Sequence, residues 1–417
     1  MPTLYSRIIQ QVNYLLFIVV VCMLPFPTKL SLYAWLVWMV SWLLEGRFLR
    51  REYLRWHQGL IPIVALAVLL LWELISCTWA IHTTDATNML VRHLSYITIL
   101  PIALWGVNQH YDWIKIAKCF IISCIASIFI YGIYIYGFAY RDLLSQLPSA
   151  EAVWSLFGDK VSYIKHHLYY GNLLNLAIVV LLQIRVQVLS ASRHKPVTTA
   201  IFFLCLLLLV LGVVWSGSRA NMLTLLVVSA VAVILPLRGH TRSLVAAIVC
   251  IFGIVVGALL LTLHPRFDQL ELEHVTERHS YQTHQIEPRI NIWYSALQHP
   301  EDYIWHGVGV GGNSAYLTSQ YAEQQWDAFQ RRQFNAHNQY LGTLINLGIF
   351  AAIFFLLLWL LYPVWYTARV RQFATLVALT IGLNMLTENM LDRIDGVIVT
   401  CASMLVIALL SRAQHAR

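Results

Sequence analysis

Charge is what this chain has least of. Only 12% of its 417 residues are Asp, Glu, Lys or Arg, while 59% are hydrophobic; water-soluble domains carry about 25% charged residues. A water-facing surface around a chain of this length is excluded, and membrane residence is the economical reading. Paired cysteines are missing as well. All seven cysteines lie inside apolar runs, and no CxxC pair occurs, so they read as small buried hydrophobes with no disulfide or metal role. No small-residue cleavage pattern follows the first apolar run, which therefore reads as a retained span and not a removed signal. The net charge is +8, yet the basic residues form no stripe. Scattered over short loops, they argue against nucleic acid and for anionic partners such as lipid headgroups, phosphates or diphosphates. Internal repeats and low-complexity segments are also lacking.

What the chain does have is long apolar runs. A spanning helix needs about 20 mostly apolar residues, and twelve stretches qualify, roughly 11–26, 30–44, 59–79, 88–106, 114–138, 167–187, 197–215, 219–236, 243–263, 338–363, 373–388 and 394–411. Fifteen Trp, 21 Tyr and 17 Phe suit interfacial belts. The expected fold class is all-α: a polytopic membrane protein of about twelve spans. With the N-terminus in the cytoplasm, the inside segments hold sixteen basic residues: Arg7; Arg47, Arg50, Arg51 and Arg55; Lys115 and Lys118; Arg185, Arg193 and Lys195; Arg238 and Arg242; Arg369 and Arg371; Arg412 and Arg417. The short outside loops hold six: Lys29, Arg141, Lys160, Lys165, Arg219 and Arg393. This bias puts both termini inside. The expected organisation is 1–263 as N-terminal spans, 264–337 as one large extracytoplasmic loop subdomain, and 338–417 as C-terminal spans.

Three residues on the expected outer side combine the right chemistry with the right position. His337, in FNAHNQYLGTLINLGIF, stands where the long loop enters the tenth span, with Asn335 as the expected N-cap. In the first turn of a helix the macrodipole disfavours a positive ring, so the imidazole is able to accept a proton. Gly348, eleven residues on, falls about three turns deeper on the same face, where it permits close approach of a helix or lipid chain. The plainer reading is an interfacial histidine and a packing glycine. Arg219, in WSGSRANML, opens a helix after a very short outer turn, with Leu223 at i+4. Arg289 sits in the first turn of the helix expected over PRINIWYSALQHP, whose one-face apolar set includes Trp293. An arginine at a helix N-terminus makes an anion site. The plainer reading of both is an interfacial or solvated arginine.

Other features carry less. The glycine run GVGVGG at 307–312 lacks a βαβ context and reads as a tight turn. His264, His274, His279 and His284 match no metal-ligand spacing. Glu73 lies within a span, and Glu388, Asp392, Arg393 and Asp395 cluster at the last outer loop. A Glu–Arg pair holding helices together is the expected role there, although ionisable residues in spans also mark functional sites.

Taken together, the motifs resemble those of the O-antigen ligases. His337-Asn338, nine residues and then Gly348 is similar to that family's His-[Asn/Ser/Gln]-X9-Gly signature, and Arg219-X3-Leu223 to its Arg-X3-Leu element. Arg289, Trp293, Pro300, Gly307 and Gly309 resemble the outer-loop region of the wider ligase and polymerase superfamily. Ala351 departs from the signature, which often has Gly, Thr or Tyr there. This bears on the choice between ligase and close relatives. The resemblance implies a glycosyltransferase in lipopolysaccharide synthesis, multi-pass in the bacterial inner membrane with its site facing the periplasm. It implies an undecaprenyl-diphosphate-linked glycan as donor and a lipid A–core sugar hydroxyl as acceptor, with no cofactor, metal or nucleotide. His337 would be the base and Arg219 and Arg289 the diphosphate clamps, with Asn338, Gly348, Leu223 and Trp293 around the substrates. The rivals are a polymerase or protein O-glycosyltransferase of the same superfamily, and a transporter or lipid flippase, which predicts repeated halves and broken helices near the midplane.

Overall fold

The structure, a computed structural model, describes residues 4–108, 111–139, 160–192, 194–237 and 288–415, with 241, 244–246, 248 and 253. No strand occurs among the described residues. The N-terminal helices are α1 (Leu4–Met23), α2 (Thr28–Glu45), α3 (Ile61–Ser76), α4 (Thr83–Trp105) and α5 (Trp113–Tyr134). Next come α6 (His167–Ala191), α7 (Lys195–Trp215) and α8 (Arg219–Ile234). After the undescribed stretch follow α9 (Pro288–Ala296), α10 (Asn313–Glu323), α11 (Asp327–Arg332), α12 (Gln339–Leu361), α13 (Ala368–Met385) and α14 (Ile394–His415).

Among the described residues, seven helices are long and apolar enough to cross a membrane: Leu4–Met23, Gln58–Trp79, Trp113–Phe138, His167–Ser190, Lys195–Trp215, Gln339–Trp365 and Ile394–Ala413. Two shorter apolar helices, Arg219–Ile234 and Val370–Met385, accompany them. This is an all-helical membrane protein. Apart from the ninth, each expected span falls on a helix; α2 and α4 are helical at their expected places without reaching the same length and apolarity. The ninth span (243–263) lies largely outside the described residues, as do the four loop histidines and Arg141.

Local chemistry sets the helix starts. Asp112 Oδ1 accepts from the amides of Ile114 and Lys115, both at 3.0 Å, and so caps α5. Ser218 Oγ caps α8 by accepting from Asn221 N. Each satisfies donors that a helix N-terminus leaves open. The starts of α6 and α8 are then pinned together, since Asn221 Nδ2 donates to Leu168 O at 2.8 Å and Asn175 Nδ2 to Asn221 O at 3.0 Å. An ion pair between buried Lys165 and half-buried Asp395, Nζ to Oδ1 at 2.6 Å, ties the chain before α6 to the start of α14. Thr28 Oγ1 adds a hydrogen bond to the same carboxylate at 2.7 Å.

Two points differ from what the sequence predicts. The polar stretch 314–331, whose sequence has a helical pattern, is split into α10 and α11, because Gln325 adopts a left-handed conformation (φ 60°) and turns the chain between them. And α12 is broken at Gly348, where φ 82° and ψ 178° leave the helical region. Only glycine adopts that conformation readily. The break frees carbonyls in mid-helix, which must be satisfied where no water competes. A strap from the preceding loop satisfies them. Val308 N donates to Ile345 O at 2.8 Å and Gly309 N to Asn346 O at 3.0 Å, while Ile349 N donates to Ile304 O at 2.7 Å. Trp72 Nε1, from α3, reaches Leu347 O at 3.2 Å. The glycine run 307–312 is thus more than a turn. At Gly307 (φ 74°) a Cβ would lie 2.2 Å from Asn346 O, so the strap can lie this close to α12 only without a side chain there.

Candidate functional site

His337 is not in the first turn of α12. The cap is Asn338, whose Oδ1 accepts from Leu341 N at 3.0 Å, and His337 precedes it in a left-handed conformation with φ 43°. Asn335, the expected cap, plays a different part. Its Oδ1 accepts from His337 N at 3.1 Å, closing the turn that holds this conformation. Asn338 is fixed from the far side as well, its amide donating to Asn389 Oδ1 at 2.8 Å. Gly348 therefore does not share a helical face with His337; it marks the break where the strap enters.

The turn aims the ring at a carboxylate. His337 Nδ1 lies 3.0 Å from Glu388 Oε2, with Glu388 buried and His337 about a quarter exposed. Burial acts to raise the Glu388 carboxyl. The hydrogen bond and charge of His337, together with His166 and Arg393, outweigh it and hold the group below the usual range. Glu388 accepts a hydrogen bond from Nδ1, so in the neutral form of the ring the proton sits on Nδ1 and Nε2 presents the lone pair. Among the described residues no hydrogen bond engages Nε2.

Around this pair stand several polar groups. His166, just before α6, has a buried Nδ1 without a hydrogen-bond partner among the described residues, and burial lowers its pKa. Asp392 lies beneath the turn. Its Oδ2 takes amides from Asn389 at 2.9 Å, Asn335 at 3.3 Å and Asn313 at 3.4 Å. Burial raises its carboxyl despite the Asn389 and Asn313 amides, which act the other way. These contacts bind the loop helices, the start of α12 and the α13–α14 turn into one frame.

The two arginines lie at helix starts, as expected. Arg289, the second residue of α9, donates from Nε to Thr387 O at 3.0 Å, one residue from Glu388. Arg219 is the first residue of α8, half-buried, beside the start of α6 that follows His166. The structure thus gathers His337 and Arg289 about the α13–α14 turn, with Arg219 on a neighbouring helix end. Trp293 supports the frame, its Nε1 donating to Ala336 O at 2.9 Å. It packs with Ile292, Tyr303, Leu317 and Tyr321 in a second, smaller core. Leu223 is half exposed and lies outside that core.

The partner of His337 was not foreseen from sequence, which put Glu388 and Glu73 in structural Glu–Arg pairs. Each faces a histidine instead: Glu388 faces His337, and Glu73 Oε2 lies 2.7 Å from His93 Nδ1. The available signal was the position of Glu388 at the end of an apolar run, where an unneutralised acid needs a reason. Among the described residues no three His, Cys, Asp or Glu side chains gather as a metal set.

Comparison with curated proteins returned no match. The model of the O-antigen ligase family matches residues 204–356. The matched stretch bears Arg219, Arg289, His337 and Gly348, and in it the chain is similar to the O-antigen ligase family.

Proposed function

We propose that this protein transfers a glycan from undecaprenyl diphosphate to a sugar hydroxyl of lipid A–core, on the periplasmic face of the bacterial inner membrane. The observation that carries this reading is the His337–Glu388 pair, which leaves a basic nitrogen at the outer helix ends with Arg289 beside it. Nε2 takes the proton of the acceptor hydroxyl as its oxygen bonds to the anomeric carbon. The bond from that carbon to the diphosphate breaks, and the diphosphate leaves with the electron pair. Glu388 stabilises the positive ring that proton uptake creates, the role a carboxylate plays behind a catalytic histidine. Arg289 and Arg219 meet the growing negative charge of the leaving group. The diphosphate supplies the driving force, so the step uses neither nucleotide nor metal.

The family match supports a lipid-linked glycan substrate in general. The sixteen-to-six charge bias supports a site on the outer face. Polymerisation of lipid-linked glycan, or transfer to a protein hydroxyl, would use the same base and clamp with a different acceptor. Reconstitution in vesicles with a lipid-linked glycan, rough lipopolysaccharide and an acceptor protein separates them. Ligation predicts glycan on lipid A–core; longer lipid-linked chains alone, or glycosylated protein alone, would overturn that assignment.

A further inference from the structure

A long apolar cavity of about 260 Å³ runs between α1, α5, α6, α13 and α14, toward the end of the bundle remote from His337. Its lining extends along α6 from Leu173 to Gln187, fourteen residues apart, or about 21 Å of helix. Along α14 it extends from Val399 to Leu410. The walls are aliphatic and aromatic; Gln183, Gln187 and Ser403 are the polar exceptions. Protein interiors are close-packed, with few voids larger than a water molecule. Water needs two to four polar partners at each position, and these walls do not offer them. The shape and lining suit a hydrocarbon chain.

The remote end supplies the second observation. Gln183 and Gln187 are exposed there, and Trp113 lines the same end at the start of α5, as aromatic residues do at a membrane interface. The flanking charges are of one sign: exposed Lys115 and Lys118 on α5, Arg185 between the two glutamines, and Arg371 next to lining residue Val370. Helices α1, α5, α6 and α13 contain no Asp or Glu at all, and the one acid of α14, Asp395, lies at its opposite end. Asp112 stands just before α5, its carboxylate engaged as the helix cap.

We propose that this cavity holds one acyl chain of an anionic phospholipid, whose headgroup phosphate rests on the Lys115–Lys118 end of the bundle. The charge complementarity selects the headgroup, and the elongated apolar walls take the chain. The proposal stands apart from the transfer reaction, since the cavity mouth and His337 are at opposite ends of α6 and α14.

The test is native mass spectrometry of the full chain in neutral detergent, after exposure to vesicles of phosphatidylglycerol, phosphatidylethanolamine or phosphatidylcholine. We expect one phosphatidylglycerol retained with roughly tenfold preference over phosphatidylcholine. Lys115→Gln with Lys118→Gln, both at exposed positions, should abolish the preference. Ala402→Trp should empty the cavity. Equal retention of all three lipids, or a preference unchanged in the double lysine variant, overturns the proposal. So does displacement of phosphatidylglycerol by undecaprenyl diphosphate, which would make the occupant a donor tail.

Discussion

Glu388 and His337 are 51 residues apart in sequence and meet at 3.0 Å, carboxylate to Nδ1. The contact exists because two turns cooperate: the Asn335-closed turn sets His337 left-handed, and α13 ends at Met385, just short of Glu388. In Glu388→Gln the amide can donate to Nδ1 and favour the tautomer with its proton on Nε2, which removes the basic lone pair. We expect transfer to fall by about 10²–10⁴-fold, the range of general-base catalysis, with donor binding retained. Single-turnover rates and donor affinity of this variant check it.

The same carboxylate makes stability depend on pH in a defined direction. Its pKa is depressed in the folded protein, so its contribution is complete above the unfolded value of about 4.3 and is lost as pH falls through the folded value. Thermal unfolding in detergent should be insensitive to this group above about pH 5. Below that, wild type should lose stability more steeply than Glu388→Gln.

Lys165→Met should destabilise the fold. The lysine is buried against Asp395 at 2.6 Å and also donates to Phe26 O at 3.1 Å. Removing it leaves the half-buried Asp395 carboxylate without its countercharge, though still hydrogen-bonded by Thr28 Oγ1. The loss should therefore fall below the roughly 3–5 kcal/mol of a fully buried pair broken on one side. Thermal shift of the purified variant measures this. A double change with Asp395→Leu should recover part of the loss.

Gly348→Ala should prevent correct assembly of α12 with the strap. The backbone conformation is one that alanine avoids, and the new Cβ would lie 2.3 Å from Trp305 O. Conformational strain alone costs about 1–3 kcal/mol, and the clash adds to it because both partners are backbone. Size-exclusion behaviour and protease sensitivity of the 300–312 strap read the outcome. A well-folded, active alanine variant would contradict the strap geometry.

Much of this was legible in the sequence. Apolar runs marked the helices, and the short turn before Arg219 and the helical pattern of PRINIWYSALQHP placed Arg219 and Arg289 at helix starts. The turn at His337 was not legible, because Asn335 and Asn338 are equally good caps and the apolar pattern downstream suits either. Nor was the break at Gly348. A glycine in an apolar helix reads as a packing position, and what makes it a break is the distant strap at 304–309, whose backbone pairs with the freed groups. Glu388 had Arg393 close by in its own loop, so nothing local pointed to a histidine on another element.

The clamp assignment predicts that Arg289→Ala and Arg219→Ala weaken use of donor while expression holds. A charged hydrogen bond contributes about 1.5–3 kcal/mol. Lysine should rescue in part, since it lacks the two-pronged guanidinium. Arg289→Ala also removes the bond to Thr387 O, so its thermal stability should be measured beside its KM for donor.

The most direct test of the base assignment is single-turnover transfer by wild type, His337→Ala and His337→Gln across pH 5 to 8. A general base predicts that alanine lowers the rate by about 10²–10⁴-fold. Glutamine should fail to rescue, because an amide accepts a hydrogen bond but takes up no proton, and the wild-type rate should fall toward acid pH with that limb absent from both variants. A glutamine variant within a few-fold of wild type, with the acid limb intact, would contradict the base assignment and leave His337 as a residue that only positions the acceptor.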